Sequence, residues 1–118
     1  MIKPQDYKFT EKTANSFKVN FTLNEDLFYL QGHFPTQKLL PGVVQLGYVV
    51  DFCKELLNLD LGQNIPVIKF VSPIVPHDSV ELNVEYNPDK SSVKFAYTIH
   101  LEDGTVKDAS NGRLKLNA

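Results

Sequence analysis

The sequence has a single cysteine, Cys53, so it cannot close an intrachain disulfide, and that scarcity agrees with a reducing compartment. It has no apolar run near the roughly 20 residues needed to cross a bilayer, so no membrane span is expected. The opening residues, MIKPQDYKFTEK, lack the apolar central segment of a secretory signal, and the chain is expected to stay in the cytoplasm. Neither sign of charge dominates. With 12 Lys and Arg against 14 Asp and Glu the net charge is -2, and the cations are scattered along the sequence, which argues against nucleic acid as a partner. Three histidines and one cysteine without ligand-like spacing argue against a metal site, and there is no Gly-rich phosphate loop or nucleophile elbow. No metal or nucleotide cofactor is expected. What is present is the composition of a soluble globular protein, 42% hydrophobic and 22% charged. At 118 residues the chain suits one domain with its own core, taken as residues 1–118.

The organisation is carried by periodicity. From Pro41 to about Asn58 the sequence reads as a helix: proline suits a first turn because its missing N–H would have no intrahelical partner, and Gly62 follows the expected end. At about 100° per residue, Leu46, Val49, Val50, Phe52, Cys53, Leu56 and Leu57 cover a very broad apolar arc. Gly47, Asp51, Lys54 and Asn58 share a narrow polar strip, so the helix is expected to be largely enclosed. Elsewhere the period is two. SFKVNFTL places Phe17, Val19, Phe21 and Leu23 on one face; SVELNVEY does the same with Val80, Leu82, Val84 and Tyr86, and SVKFAYTIHL with Val93, Phe95, Tyr97, Ile99 and Leu101. IPVIKFVSPIV reads as a strand bent or edge-placed at Pro73, since proline cannot donate to a ladder. YNPDKSS and Asp103-Gly104 read as hairpin turns, the second leading to a strand around 105–110 and a last one around 113–116. The order implies an α+β domain, a curled antiparallel sheet wrapped around one long central helix.

Two features could carry chemistry. His33 stands in the loop QGHFPTQ, and imidazole is the side chain whose unperturbed pKa best suits proton transfer at neutral pH; a plain loop residue or hydrogen-bonded support is the alternative. Gly42 would expose backbone N–H groups at a helix N-terminus, where an oxyanion can be held, or would serve only a close helix–sheet contact.

Taken together, GHFP and then Leu40-Pro41-Gly42-Val43 at the opening of an apolar helix resemble the active-site segment of β-hydroxyacyl-(acyl carrier protein) dehydratases of the hotdog fold. IKFVSPIVPHDSVEL is similar to the strand after that helix in the same family, and LPGVVQL is most similar to the branch associated with aryl-polyene lipid synthesis. The specific resemblance spans roughly residues 28 to 84. It implies that His33 takes the proton from C2 of a 3-hydroxyacyl thioester and that the Gly42 N–H polarises the thioester carbonyl. Phe34, Leu40, Val43 and Gly47 fall on the substrate-binding side of the same segment. The family's acid, an Asp or Glu that protonates the departing hydroxyl across a dimer interface, stands fourteen positions after the histidine. Here that position is Gly47.

General acid catalysis typically contributes about 10²–10⁴-fold, so the departure matters. Three answers are open. Asp51, one helical turn beyond Gly47, could stand in as the acid; His33 could work alone, with Gln45 or Tyr48 positioning water; or dehydration is lost and the fold binds an acyl chain, a carrier protein or a partner subunit. The resemblance implies an acyl carrier protein or coenzyme A thioester as partner and a homodimer or higher oligomer, which would also cover exposed sheet edges. An acyl tunnel between protomers would be lined by Phe28, Leu39, Leu40 and Val44. A 3-hydroxyacyl-thioester dehydratase is the leading function, a noncatalytic acyl or carrier-protein binding subunit the competitor, and a hotdog thioesterase the third. His77 reads as an exposed turn residue where the family usually has glycine, His100 as solvent-facing or interfacial, and Cys53 as a buried core thiol rather than a nucleophile.

Overall fold

A computed structural model describes residues 7–22, 40, 42–59, 67–75 and 77–115, with Val43 described in its backbone only. The elements are β1 (Lys8–Lys12), β2 (Ser16–Thr22), α1 (Gly42–Leu57), β3 (Val67–Phe70), β4 (Ser79–Asn87), β5 (Ser92–His100) and β6 (Val106–Lys115). The strands form one sheet in the order β1-β2-β4-β5-β6-β3, antiparallel throughout.

Alternation decides which face of that sheet meets the helix. The register aligns Phe17 with Val84 and Phe95, Val19 with Leu82 and Tyr97, and Phe21 with Val80 and Ile99, and all nine side chains are buried. Tyr48, Val49, Phe52 and Cys53 of α1 complete this core. The Phe52 ring stands 6.0 Å from that of Phe17 and 5.1 Å from that of Tyr7, and the Tyr48 ring 5.8 Å from that of Phe21. Each large side chain so buried contributes about 1.5–3 kcal/mol, which makes the α1–sheet contact the main source of stability. The helix stops at Asn58, whose φ of 55° is left-handed, and the Leu59 N–H donates to the Cys53 carbonyl at 3.1 Å. Gly62 and Leu23 lie outside the described residues.

Three expectations need correction. First, the two strands expected after Gly104 are one, β6, which runs straight through Asn111 and Gly112. Gly112 is required there by crowding: a Cβ would lie 2.5 Å from the Val67 carbonyl oxygen and 2.8 Å from the Phe95 ring. Second, α1 is enclosed on one side only. Val44, Gln45, Tyr48, Val49, Phe52 and Cys53 are buried, whereas Leu46, Gly47, Val50, Asp51 and Leu57 on the other side are only partly so and Lys54 is exposed. Third, β5 ends at His100, so Leu101 leaves the core face and is exposed in the turn, where Asp103 accepts from the Thr105 N–H (2.9 Å) and hydroxyl (2.6 Å). These hydrogen bonds hold the exposed Asp103 carboxyl below its ordinary pKa. The strand before Pro73 is an edge strand, as expected, and it ends at Phe70.

Candidate active site

The site is built where α1 begins. The first N–H groups of a helix have no intrahelical acceptor and carry partial positive charge, so Gly42, the first residue of α1, is suited to meet a developing oxyanion. The residue that leads into it is anchored at both of its polar groups. The Leu40 N–H donates to the Ile74 carbonyl at 2.8 Å, and the Gln45 side-chain Nε2–H donates to the Leu40 carbonyl at 3.0 Å. Leu40 itself is buried. Gln45 is also spoken for at its other end, where the Ser110 Oγ–H donates to Oε1 at 2.7 Å, and its backbone carbonyl accepts from the Tyr97 hydroxyl at 2.5 Å. Both ends of the Gln45 amide are thus hydrogen-bonded, which fixes the side chain beside the helix opening.

Beside Gly42 lies an apolar groove of about 420 Å³, walled by Leu40, Gln45, Phe70, Val71, Ser72 and Pro73. Phe70 sits over the glycine closely enough that a Cβ there would be 2.6 Å from its Cζ. The far wall is hung from β6: the N–H groups of Val71 and Ser72 both donate to the Ala109 carbonyl, at 2.9 and 3.0 Å.

Among the residues singled out from the sequence, Leu40 and Gly42 meet at this groove, while Val44 is buried in the core. His33, Phe34, Phe28, Leu39 and the Val43 side chain lie outside the described residues. Gly47 and Asp51 share the face of α1 turned away from the sheet, flanked by Leu46, Val50 and Leu57. His77 is exposed with φ 74°, the left-handed conformation that glycine takes without strain. Asp78 closes the same turn by accepting from the Val75 N–H at 2.9 Å. His100 is exposed, with Nε2 3.7 Å from Glu81 Oε2. Cys53 is buried, and burial pushes its thiol up to about 12, so it is no nucleophile at neutral pH.

Sequence reasoning missed a second feature. Lys69, Lys94, Arg113 and Lys115 line a groove of about 600 Å³ on the sheet, together with Val67, Asn111 and Gly112. The cations that look scattered along the chain are gathered by pairing, which sets Arg113 across from both Val67 and Lys94. Among the described residues no group of three or more His, Cys, Asp or Glu is placed to hold a metal ion, and no helix is long and apolar enough to cross a membrane.

An antiparallel sheet packed on one long helix, with Leu40 anchored just before the helix opening, is the architecture of the hotdog fold. Comparison narrows it. The model of the ApeI-like family, described as ApeI dehydratase, matches residues 9–113, and the chain belongs to that family. It is 32% identical over 96 residues to the 3-hydroxyacyl-(acyl-carrier-protein) dehydratase FabZ of Anaeromyxobacter sp. (strain K), an alignment covering 72% of this chain and 60% of that enzyme. The chain thus matches less than two thirds of that relative's length. Among solved structures, the dehydratase heterocomplex ApeI:P from Xenorhabdus doucetiae superposes with a TM-score of 0.85 at 26% identity, covering 99% of this chain and all of that one. An uncharacterized protein from Erwinia carotovora subsp. atroseptica gives 0.77 at 34% identity, covering 99% and 96%.

Proposed function

We propose that residues 1–118 act as one hotdog domain that dehydrates 3-hydroxyacyl thioesters to trans-2-enoyl thioesters in fatty-acid or polyene-type lipid synthesis. His33 takes the proton from C2. The Gly42 N–H holds the thioester oxygen as the enolate develops, and an acid protonates the hydroxyl that leaves C3 as water. The observation that carries this reading is the doubly anchored Leu40 leading into the Gly42 N–H beside an apolar groove.

Geometry bears on the missing acid. Asp51 is nine residues beyond Gly42, about 13.5 Å along the helix at 1.5 Å per residue, too far for its carboxylate to reach a substrate held at its own Gly42. It lies one turn beyond Gly47 on the same outward face, so Asp51 of the partner subunit is the group we assign as acid. A dimer is supported by the unequal sheet edges. The β1 edge, KFTEK, is charged and carries an irregularity that discourages pairing. The β3 edge exposes Val67 and Phe70, followed by Val71. The basic groove offers complementary charge to the phosphates of a phosphopantetheine or coenzyme A carrier.

The test is the approach to equilibrium between 3-hydroxyacyl and trans-2-enoyl thioesters, on carrier protein and on coenzyme A. Wild-type turnover that disappears in His33→Ala, and falls about 10²-fold or more in Asp51→Asn, is expected. An Asp51→Asn variant as active as wild type sinks the substitute acid. A second reading is a subunit that binds the acyl or carrier group beside an unlike partner, favoured by Gly47 and by likeness to a protein solved as a heterocomplex. Its mark would be an inert wild type that gains turnover as Gly47→Asp.

A further inference from the structure

We propose that Gln45 is a positioning residue for the Gly42 N–H; this rests on the assignment of Gly42 as oxyanion donor. Gln45 is 5% exposed, in the stripe of α1 that also buries Tyr48, Val49 and Phe52. A polar side chain there is costly unless both ends of its amide are hydrogen-bonded. Both are, and since a carbonyl only accepts, Nε2 has to be the end facing Leu40. Three elements meet on this one residue: α1 itself, β5 through the Tyr97 hydroxyl, and β6 through Ser110.

What the amide grips is the carbonyl two residues before Gly42. The Leu40 N–H is tied to Ile74 and its carbonyl to Gln45, which holds two successive peptide planes. Beyond that carbonyl, a proline ring restricts φ by covalent chemistry and the peptide bonds are planar. One soft torsion, the ψ of residue 41, therefore separates the gripped carbonyl from the Gly42 N–H. Any swing of the Leu40 carbonyl passes to the donor that has to meet the oxyanion.

The other end of the device is an irregularity in β6. Tyr97 pairs with Ser110 and Thr98 with Asp108, so Ala109 is the extra residue of a bulge. The bulge buries both Ala109 and Ser110. The Ser110 hydroxyl then reaches Gln45, while the Ala109 carbonyl holds the Val71 and Ser72 N–H groups that wall the groove. A single bulge sets the groove wall and, through Gln45, the approach to the Gly42 that lines it.

The test compares Gln45→Met, Gln45→Glu and Ser110→Ala in the full chain, by steady-state dehydration, thermal melts and the amide NMR resonance of Gly42. Gln45→Met fills similar space without hydrogen-bonding ends. It is expected to fold, to lose about 10-fold or more in kcat with KM within about threefold, and to broaden the Gly42 resonance, because the transition-state oxyanion loses its aligned donor. In Gln45→Glu the side chain donates to Leu40 only when protonated, so kcat gains a limb that falls as pH rises, absent from wild type. Recovery at low pH is a rescue that a packing role would not give. Should Gln45→Met fail to fold, the pH limb of Gln45→Glu and a Ser110→Ala loss confined to kcat decide the matter. Unchanged kcat and an unmoved Gly42 resonance in the folded variants overturn the proposal and leave the dehydratase assignment standing. A wild type without turnover sinks the dehydratase assignment instead, and the Gly42 resonance alone then decides positioning: broadening keeps it, no change ends it.

Discussion

The same substitution at two glycines should have opposite consequences. A Cβ at Gly42 would lie 2.6 Å from Phe70 Cζ, and one at Gly112 would lie 2.5 Å from the Val67 carbonyl oxygen and 2.8 Å from two ring atoms of Phe95. The distances are alike, but the obstacles differ. At Gly42 the obstacle is the far end of the Phe70 side chain, 58% exposed in the single chain, which can turn aside without moving the backbone. The Val67 carbonyl belongs to β3, which is fixed by the ladder from Val67↔Arg113 to Phe70↔Ser110, and Phe95 is 2% exposed. Gly112→Ala has to push β3 off β6 or repack Phe95. Overpacking costs about 1–3 kcal/mol and each weakened ladder hydrogen bond about 1 kcal/mol, against roughly 0.5–1 kcal/mol recovered by replacing a strand glycine. The expected net loss is about 2 kcal/mol, or roughly 10 °C in Tm for a domain of this size. Gly42→Ala should stay within roughly 3 °C of wild type, yet lose turnover, because its methyl group enters the groove beside the N–H we propose as oxyanion donor. Urea and thermal melts with dehydration assays on the same preparations check both. The reasoning is refuted if Gly112→Ala melts at or above wild type, or if Gly42→Ala costs as much stability as Gly112→Ala.

Three further outcomes are expected. Burial raises the Cys53 thiol from its ordinary 9.0 to about 12, so the unfolded thiol ionises in a window where the folded one stays protonated. The stability it contributes is full below pH 9 and declines as pH rises towards 12; urea melts between about pH 8 and about pH 10 should show this slope in wild type and a flatter one in Cys53→Ala. Charge reversal at Lys94 and Arg113 should raise KM for a carrier-bound thioester by about tenfold at low salt and leave kcat alone, and an unchanged KM would remove the basic groove from carrier binding. Val67→Lys, placed on the apolar β3 edge, should shift sedimentation towards the monomer; a dimer of unchanged strength would mean that pairing lies elsewhere.

The strands were legible because one face of each is buried and the other is not. Phe17, Val19 and Phe21, or Val80, Leu82 and Val84, leave a period of two that survives without any knowledge of their partners. β6 was misread as two strands because Asn111-Gly112 looks like a break, and a glycine does weaken a strand interior. The crowding that requires it comes from Val67 and Phe95, neither of which is near it in sequence. The helix carried a different ambiguity. Its apolar arc is broad enough to face two surfaces, and hydrophobicity alone does not say which part meets the chain's own sheet and which part meets something else.

The same distinction divides the site. The Leu40-Pro41-Gly42 turn is spelled in consecutive residues and could be found by inspection. Gln45 could not, since what fixes its role is a hydroxyl 65 positions away and another 52 away; the available hint was one polar residue in an otherwise apolar stripe. Gly47 sits between these cases. Its lack of a side chain is plain in the sequence, but the structure sets it, with Asp51, on the helix face away from the sheet, beside Leu46, Val50 and Leu57. Apolar neighbours around a polar strip favour an opposing protein surface over open water, because burying them is worth about 25 cal/mol per Å². If a second copy of this chain is that surface, its Asp51 can approach the Gly42 that the first copy's Asp51 cannot reach. The acid missing from position 47 then becomes a question about which subunit lies opposite it, and the oligomer's composition decides between an unconventional enzyme and a binding subunit.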